Sequence, residues 1–192
     1  MTEQLLASRD QRRLATLVPV SALALFAGLL PASAEARIFG SEPIPISVGP
    51  NGEPANGPSG GGSVSGDNRL GRLVGFHSAA SNLVGGDSNG AYDVFVWSRP
   101  GGQAGLSLKQ SARPAGRLAR VSVSSSGAEA NGASVNPSVD GSLRSGPRCV
   151  AFQSSASNLA SGDRDATSDV FVRDLGRNQT YLVSRGVGAA AT

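Results

Sequence analysis

The chain has very few of the residues that usually build a compact chemical site. Its 192 residues include one cysteine, Cys149, and one histidine, His77. A single cysteine excludes a disulfide within the chain, and one histidine with one cysteine excludes a metal cluster of imidazole and thiolate ligands. Any Ser-His-Asp triad would have to use His77, and no G-x-x-x-x-G-K-[ST] phosphate loop is present. We therefore expect a protein that is not an enzyme, with no catalytic residues.

Aromatic residues are also scarce, at 5% of the chain, and the only lysine is Lys109. The formal net charge is +3, and the arginines are scattered along the sequence. Proteins that bind single-stranded nucleic acid interleave basic residues with aromatic side chains on which bases stack. That interleaving is missing, so we expect no nucleic-acid partner.

Only one long apolar run occurs, at residues 14–30. Three arginines precede it, and two small-x-small sequences, Ala32-Ser33-Ala34 and Ala34-Glu35-Ala36, follow it. A basic segment, an apolar core and a small-residue cleavage site are the parts of a secretory signal peptide. The run is shorter than the ~20 residues of a membrane span, so cleavage is favoured over anchoring. We predict a helical signal peptide over residues 1–36, no membrane span after its removal, and a secreted or periplasmic protein.

The sequence repeats itself, because residues 76–98 align without a gap to residues 152–174. The shared residues include Phe76/Phe152, Ser78/Ser154, Ala80/Ala156, Ser81/Ser157, Asn82/Asn158, Leu83/Leu159, Gly86/Gly162, Asp87/Asp163, Asp93/Asp169, Val94/Val170, Phe95/Phe171 and Val96/Val172. Such agreement indicates one structural unit present twice.

The similarity continues upstream, where Ser47, Ser122 and Ser184 occupy equivalent places. The spacing from Ser47 to Ser122 is longer than that from Ser122 to Ser184 because residues 101–116 have no counterpart in the second unit. These residues mark a loop insertion. We divide the chain into a first unit over residues 37–122 and a second unit, with the start of a third, over residues 123–192.

Short strand-like runs recur in both units. The strongest are residues 93–97 and 169–173, which share a Val-Phe-Val sequence of β-branched and aromatic residues. A run that is apolar on both faces predicts a strand buried on both sides. Weaker runs at 63–65, 74–76 and 118–123, with their counterparts in the second unit, bring the content to about four strands per unit. The sequence predicts an all-β fold of two antiparallel four-stranded sheets.

Together, the turn and strand of residues 65–76, the Ser-Ala-x-Asn-Leu stretch and the Gly-Asp-x-x-x-x-x-Asp-Val-Phe-Val stretch resemble TolB-like β-propeller proteins. The resemblance is to the long-repeat variant found in exported bacterial proteins, and it covers roughly residues 46–184. It implies that each unit is a propeller blade. The family's Ser-x-Asp-Gly turn before the Val-Ala-Phe strand is distorted in both copies. A shared scaffold implies a fold more than an activity.

A closed propeller contains about 4–8 blades, and this sequence supplies two. Open blade faces predict self-association or binding to another protein, and a fragment of a longer propeller is the other outcome. The leading function is an exported, non-enzymatic scaffold for protein binding. The alternative is a calcium-stabilised binding module of the same fold.

Acidic loops before the two Val-Phe-Val strands are the candidate metal sites. Their oxygen-bearing residues are Asp87, Asn89 and Asp93 in the first unit, and Asp163, Asp165 and Asp169 in the second. Ligands at alternate positions resemble the start of a calcium loop, but a bidentate glutamate is missing and Arg164 lies inside the second loop. Turns in which these side chains bond nearby backbone amides are favoured over calcium. We predict no cofactor, with calcium as the alternative.

Overall fold

The computed structural model describes residues 44–67, 72–99, 111–113, 116–142 and 145–184. The predicted signal peptide over residues 1–36 lies outside these ranges, as does most of the predicted insertion at 101–116. All described residues belong to one compact unit, Ile44–Thr192. Within the described ranges, no helix has the length and apolar character to cross a membrane.

Two antiparallel sheets make up the described fold. The first has the order β1-β2-β3-β5-β4 and the second has the order β6-β7-β8-β9. The strands are β1 (Ser59–Val64), β2 (Leu73–Ser78), β3 (Asp93–Ser98), β4 (Ser111–Arg113), β5 (Gly116–Arg120), β6 (Ser134–Val139), β7 (Cys149–Ser154), β8 (Asp169–Asp174) and β9 (Gln179–Leu182). The prediction of an all-β fold with two four-stranded sheets is confirmed, and the short β4 adds an edge to the first sheet.

The two sheets have the same strand register. Phe76 pairs with Phe95 in the first sheet, and Phe152 pairs with Phe171 in the second. Both pairs are stacked, with ring centroids 5.6 and 5.9 Å apart. The edge strands β1 and β6 each carry an irregularity at the same place in their pairing. Residues that align in the sequence therefore occupy equivalent positions in the two sheets.

The main hydrophobic core lies between the sheets. It joins Leu73, Val94 and Val96 of the first sheet to side chains of the second sheet that include Phe152 and Phe171. Strand β6 of the second sheet packs on β2 of the first. Burial of these apolar side chains is the dominant favourable contribution to folding.

Burial on both faces is found for one Val-Phe-Val strand and not for the other. All six residues of β3 are buried, as the sequence predicted. In β8, Val170 is 37% exposed, although its counterpart Val94 is fully buried. The difference arises because β6 covers that face of the first sheet, and no described strand covers the same face of the second.

A covering segment precedes each sheet, residues 46–57 for the first and 121–132 for the second. Asn56 anchors the first segment by bonding to Asn82 and Ser81. Asn131 makes the same bonds to Asn158 and Ser157. These matching bonds explain why the asparagines and serines recur in the sequence.

A glycine follows each of those asparagines, and close backbone approach accounts for it. A Cβ on Gly57 would lie 2.7 Å from the Ala79 carbonyl oxygen, and one on Gly132 would lie 2.8 Å from the Ser155 carbonyl oxygen. Any side chain would therefore push each covering segment away from its sheet.

Candidate functional site

The first acidic loop contains an Asx turn centred on Asn89. Its Oδ1 accepts a hydrogen bond from the Ala91 N–H at 2.8 Å. Its Nδ2 donates to Asp93 Oδ2 at 3.2 Å and to the Ala130 carbonyl at 3.0 Å. Asn89 therefore ties the loop both to β3 and to the covering segment of the second sheet.

Arg120, the last residue of β5, supplies the positive charge for this loop. Its Nη1 lies 3.2 Å from Asp93 Oδ2 and 3.8 Å from Asp87 Oδ1, and it also pairs with Glu129. Its Nη2 donates to the Gly86 carbonyl at 2.9 Å. Three carboxylates thus surround one guanidinium group.

The three carboxylates differ in how their surroundings affect protonation. Burial raises the pKa of Asp93, although hydrogen bonds from Ser122 and Arg120 oppose this. Burial, followed by the charge of Asp93, raises the pKa of Asp87. Burial would also raise the pKa of Glu129, but Ser88 and Arg120 together lower it. Burial therefore raises the pKa of both aspartates, and neighbouring negative charge adds to this effect only at Asp87.

Glu129 also links the two sheets. Its carboxylate accepts hydrogen bonds from the Ser88 N–H at 3.0 Å and the Ser88 hydroxyl at 2.7 Å. Glu129 belongs to the covering segment of the second sheet, whereas Ser88 lies in the loop before β3. The sequence reasoning named neither Glu129 nor Arg120. One difference in the sequence could have indicated this site. Arg120 lies two residues before Ser122, whereas Leu182 lies two residues before the equivalent Ser184.

The second acidic loop brings three carboxylates together, and among the described residues no arginine, including the exposed Arg164 of the loop itself, forms an ion pair with them. Asp163, Asp165 and Asp169 each present an oxygen, and these atoms lie within 4.8 Å of one another. Leu182 pairs with Phe171 as Arg120 pairs with Phe95, so an apolar side chain stands in the place of the guanidinium.

Only some oxygens of this second cluster are used in hydrogen bonds. Asp165 Oδ1 accepts from the Thr167 N–H at 2.9 Å in an Asx turn, and also from the Thr167 hydroxyl. Asp169 Oδ1 accepts from the Ser184 hydroxyl at 2.5 Å. Asp163 is 7% exposed, and its buried Oδ2 has no hydrogen-bond partner among the described residues.

The surroundings of Asp163 and Asp165 shift the pKa values of these two residues in opposite directions. Burial, together with the charges of Asp169 and Asp165, raises the pKa of Asp163 against the opposing backbone N–H of Asp165. The hydroxyl and N–H of Thr167 lower the pKa of Asp165. Asp163 is therefore the member of this cluster whose negative charge is destabilised by burial and by its neighbours.

An apolar face of the second sheet is a separate candidate for binding. It carries Ala151, Val172 and three exposed side chains. The exposed fractions are 37% for Val170, 43% for Tyr181 and 50% for Val183, whereas their counterparts Val94, Ala119 and Val121 are 0–1% exposed. We call this surface of β7, β8 and β9 the open face. Equivalent residues in the first sheet form the buried contact with β6.

Two serines match the G-x-S-x-G spacing of some hydrolases, at residues 57–61 and 86–90. Both hydroxyls donate to other side chains, Ser59 to Ser78 and Ser88 to Glu129. The imidazole Nδ1 of His77 accepts from the Asn136 N–H at 3.3 Å, which joins the two sheets. Among the described residues, neither serine donates a hydrogen bond to His77.

Comparison with known proteins finds no matching family model, no matching curated protein and no matching solved structure.

Proposed function

We propose that this protein is an exported, non-enzymatic scaffold that assembles with further copies of itself, each sheet acting as a blade of a TolB-like β-propeller. The observation that carries the proposal is the open face, which is apolar and exposed where the equivalent face of the first sheet is buried. We propose a second copy of the chain as the partner on this face. Its β1 is equivalent to β6, and β6 is the strand that covers the same face of the first sheet.

The contact between the sheets is the template for this assembly. Val139 of β6 packs against Gly75. The Val139 N–H donates to Ser63 Oγ at 3.0 Å, and the Asn136 N–H donates to His77. Apolar packing and backbone hydrogen bonds therefore fix β6 against the first sheet.

The two outer surfaces carry the same elements in complementary positions. Val64 of β1 corresponds to Val139, and it is 59% exposed. On the other side, the exposed Ser138 corresponds to Ser63 and the exposed Gln153 corresponds to His77. Val64 of a second copy would pack on Ala151, and its N–H would donate to Ser138. The contact joins two different surfaces, so it is heterologous, and such contacts produce rings or open chains.

Light scattering on the protein, as processed by an exporting bacterial host, tests the proposal. We expect a mass of several chains that falls on dilution. Val64→Glu and Val170→Glu each place a charge on one of the two surfaces, and each should give monomers. Ala128→Glu, a change at an exposed alanine in a turn outside both sheets, should leave the assembly intact.

Mixing the two variants makes the test specific for a contact between unlike surfaces. Val64→Glu retains an intact open face, and Val170→Glu retains an intact β1 surface. Their equimolar mixture should therefore form dimers, although neither variant does so alone. A monomeric wild type with the circular dichroism of a folded β protein would overturn the proposal.

A further inference from the structure

The contrast between Arg120 and Leu182 is the starting point. Both side chains lie opposite a core phenylalanine at equivalent positions of the two sheets. Arg120 places a guanidinium group among the carboxylates of the first loop. Leu182 places nothing charged among the carboxylates of the second. The second cluster therefore has the architecture of an ion-pair site without its cation.

We propose that Asp163, Asp165 and Asp169 form a binding site for a divalent cation, and that this cation is calcium. The three side chains can each give one oxygen from positions within 4.8 Å of one another. The buried, unpartnered Oδ2 of Asp163 is an acceptor that the protein leaves unused. An unsatisfied buried acceptor is costly, and native proteins usually give it a partner or an ion.

The remaining oxygens are free for the same role. The hydrogen bonds of Asp165 and Asp169 all use Oδ1. Ser184 orients Asp169 in the same way that Ser122 orients Asp93 in the first sheet. The site is therefore held by the fold and not by the loop alone.

The ligand chemistry selects calcium. Carboxylates are hard oxygen ligands, which suits calcium and magnesium better than zinc, whose protein ligands are mainly nitrogen and sulfur. Magnesium requires a near-ideal octahedron, whereas calcium accepts 6–8 oxygens in irregular arrangements that include water. Three carboxylates on an exposed loop suit the irregular coordination of calcium better than the octahedron of magnesium. Sites in extracellular modules bind calcium with dissociation constants on the order of 10⁻⁴ to 10⁻³ M.

Asn89 and Asp165 occupy equivalent positions in the two loops, and they differ in charge as Arg120 and Leu182 do. Asn89 donates from its Nδ2 to Asp93, as suits a site that already holds a guanidinium. Asp165, its counterpart, has no donor and adds a third negative charge. Compared with the first cluster, the second therefore has Leu182 of β9 where the first has Arg120 of β5, and Asp165 where the first has Asn89. Both differences favour a bound cation.

Thermal unfolding of the full protein with calcium, with magnesium or with chelator tests the site at constant ionic strength. Calcium at ~10 mM should raise the midpoint by several degrees, and magnesium should raise it less. Asp163→Asn should abolish the calcium shift. Glu53→Gln, which removes a carboxylate outside the cluster, should retain it.

Leu182→Arg is the decisive variant, because it installs the arrangement of the first sheet in the second. It should fold, lose the calcium shift, and show no heat of calcium binding in calorimetry. Two results would overturn the proposal: a wild-type midpoint and calorimetric trace unchanged by 10 mM calcium, or an undiminished calcium shift in Leu182→Arg. Light scattering in chelator separates this result from self-association, since either property can fail without the other.

Discussion

Val139 of the second sheet lies so close to Gly75 of the first that a Cβ on Gly75 would come within 2.8 Å of Val139 Cγ2. Gly75→Ala should therefore force the sheets apart and destabilise the protein by about 1–3 kcal/mol, the usual cost of overpacking a core. Urea unfolding would measure this loss. Gly85→Ala is the control, because a Cβ there meets no atom within 4 Å.

Removing the methyl groups that cause the clash sharpens that test. In the double variant Gly75→Ala/Val139→Ala, the contact with Val139 Cγ2 is gone and the tightest remaining one is Pro137 Cβ at 3.3 Å. The two single losses should therefore sum to more than the loss of the double variant. Strict additivity of the two changes would contradict a direct contact between these residues.

Arg120→Leu should be strongly destabilising. It leaves Asp93, which is fully buried, beside Asp87 and Glu129 without a cation. Loss of one partner from a buried ion pair typically costs about 3–5 kcal/mol. Arg117→Leu, at an exposed position of the same strand, should cost far less in the same urea titration. Similar losses for the two variants would mean that the carboxylate cluster tolerates the missing charge.

His77 should make stability depend on pH. Burial lowers the pKa of its imidazole below the ordinary value of 6.5, so the unfolded chain binds the proton more readily than the folded one. The stabilising contribution of neutral His77 is therefore complete above about pH 6.5, and it is lost as pH falls through the lower folded value. His77→Gln copies the residue of the second sheet, Gln153, and should remove this part of the pH profile. Identical urea midpoints for wild type and variant between pH 7 and 5 would argue against it.

Asn131→Ala should loosen the covering segment of the second sheet. The side chain bonds to the backbone and hydroxyl of Ser157 at 2.9 and 3.0 Å, and each bond contributes about 0.5–1.5 kcal/mol. Asn131→Asp keeps the acceptor for the Ser157 N–H and loses the donor, so its stability should be intermediate. Hydrogen exchange at the Ala130 amide would report the loosening directly. Unchanged protection there in Asn131→Ala would contradict the anchoring role.

The strands were largely predictable, because alternation and β-branched residues are local signals and the second copy of the sequence repeats them. The Asx turn at Asn89 was predictable for the same reason. Arg173 was not. It lies in a strand whose sequence reads as apolar, yet it is 2% exposed and donates to the Ser124 carbonyl and the Thr180 hydroxyl.

The burial of Arg173 is explained by the register in which β8 pairs with β9. In the first sheet Trp97 pairs with Leu118, and in the second Arg173 pairs with Thr180. Where the first sheet has an apolar pair, the second has a cation that donates a hydrogen bond to a hydroxyl. Arg120 and Glu129 escaped sequence reasoning similarly, because they come from β5 and the following segment, and only the fold brings them to a loop some 30–40 residues earlier.

Strand β5 continues without a break into the segment that covers the second sheet, since Arg120 ends the strand and Val121 is already in the core between the sheets. Peeling β5 from β3 would therefore strip the second sheet of its cover in the same event. We therefore expect the two sheets to unfold in one cooperative step rather than one after the other.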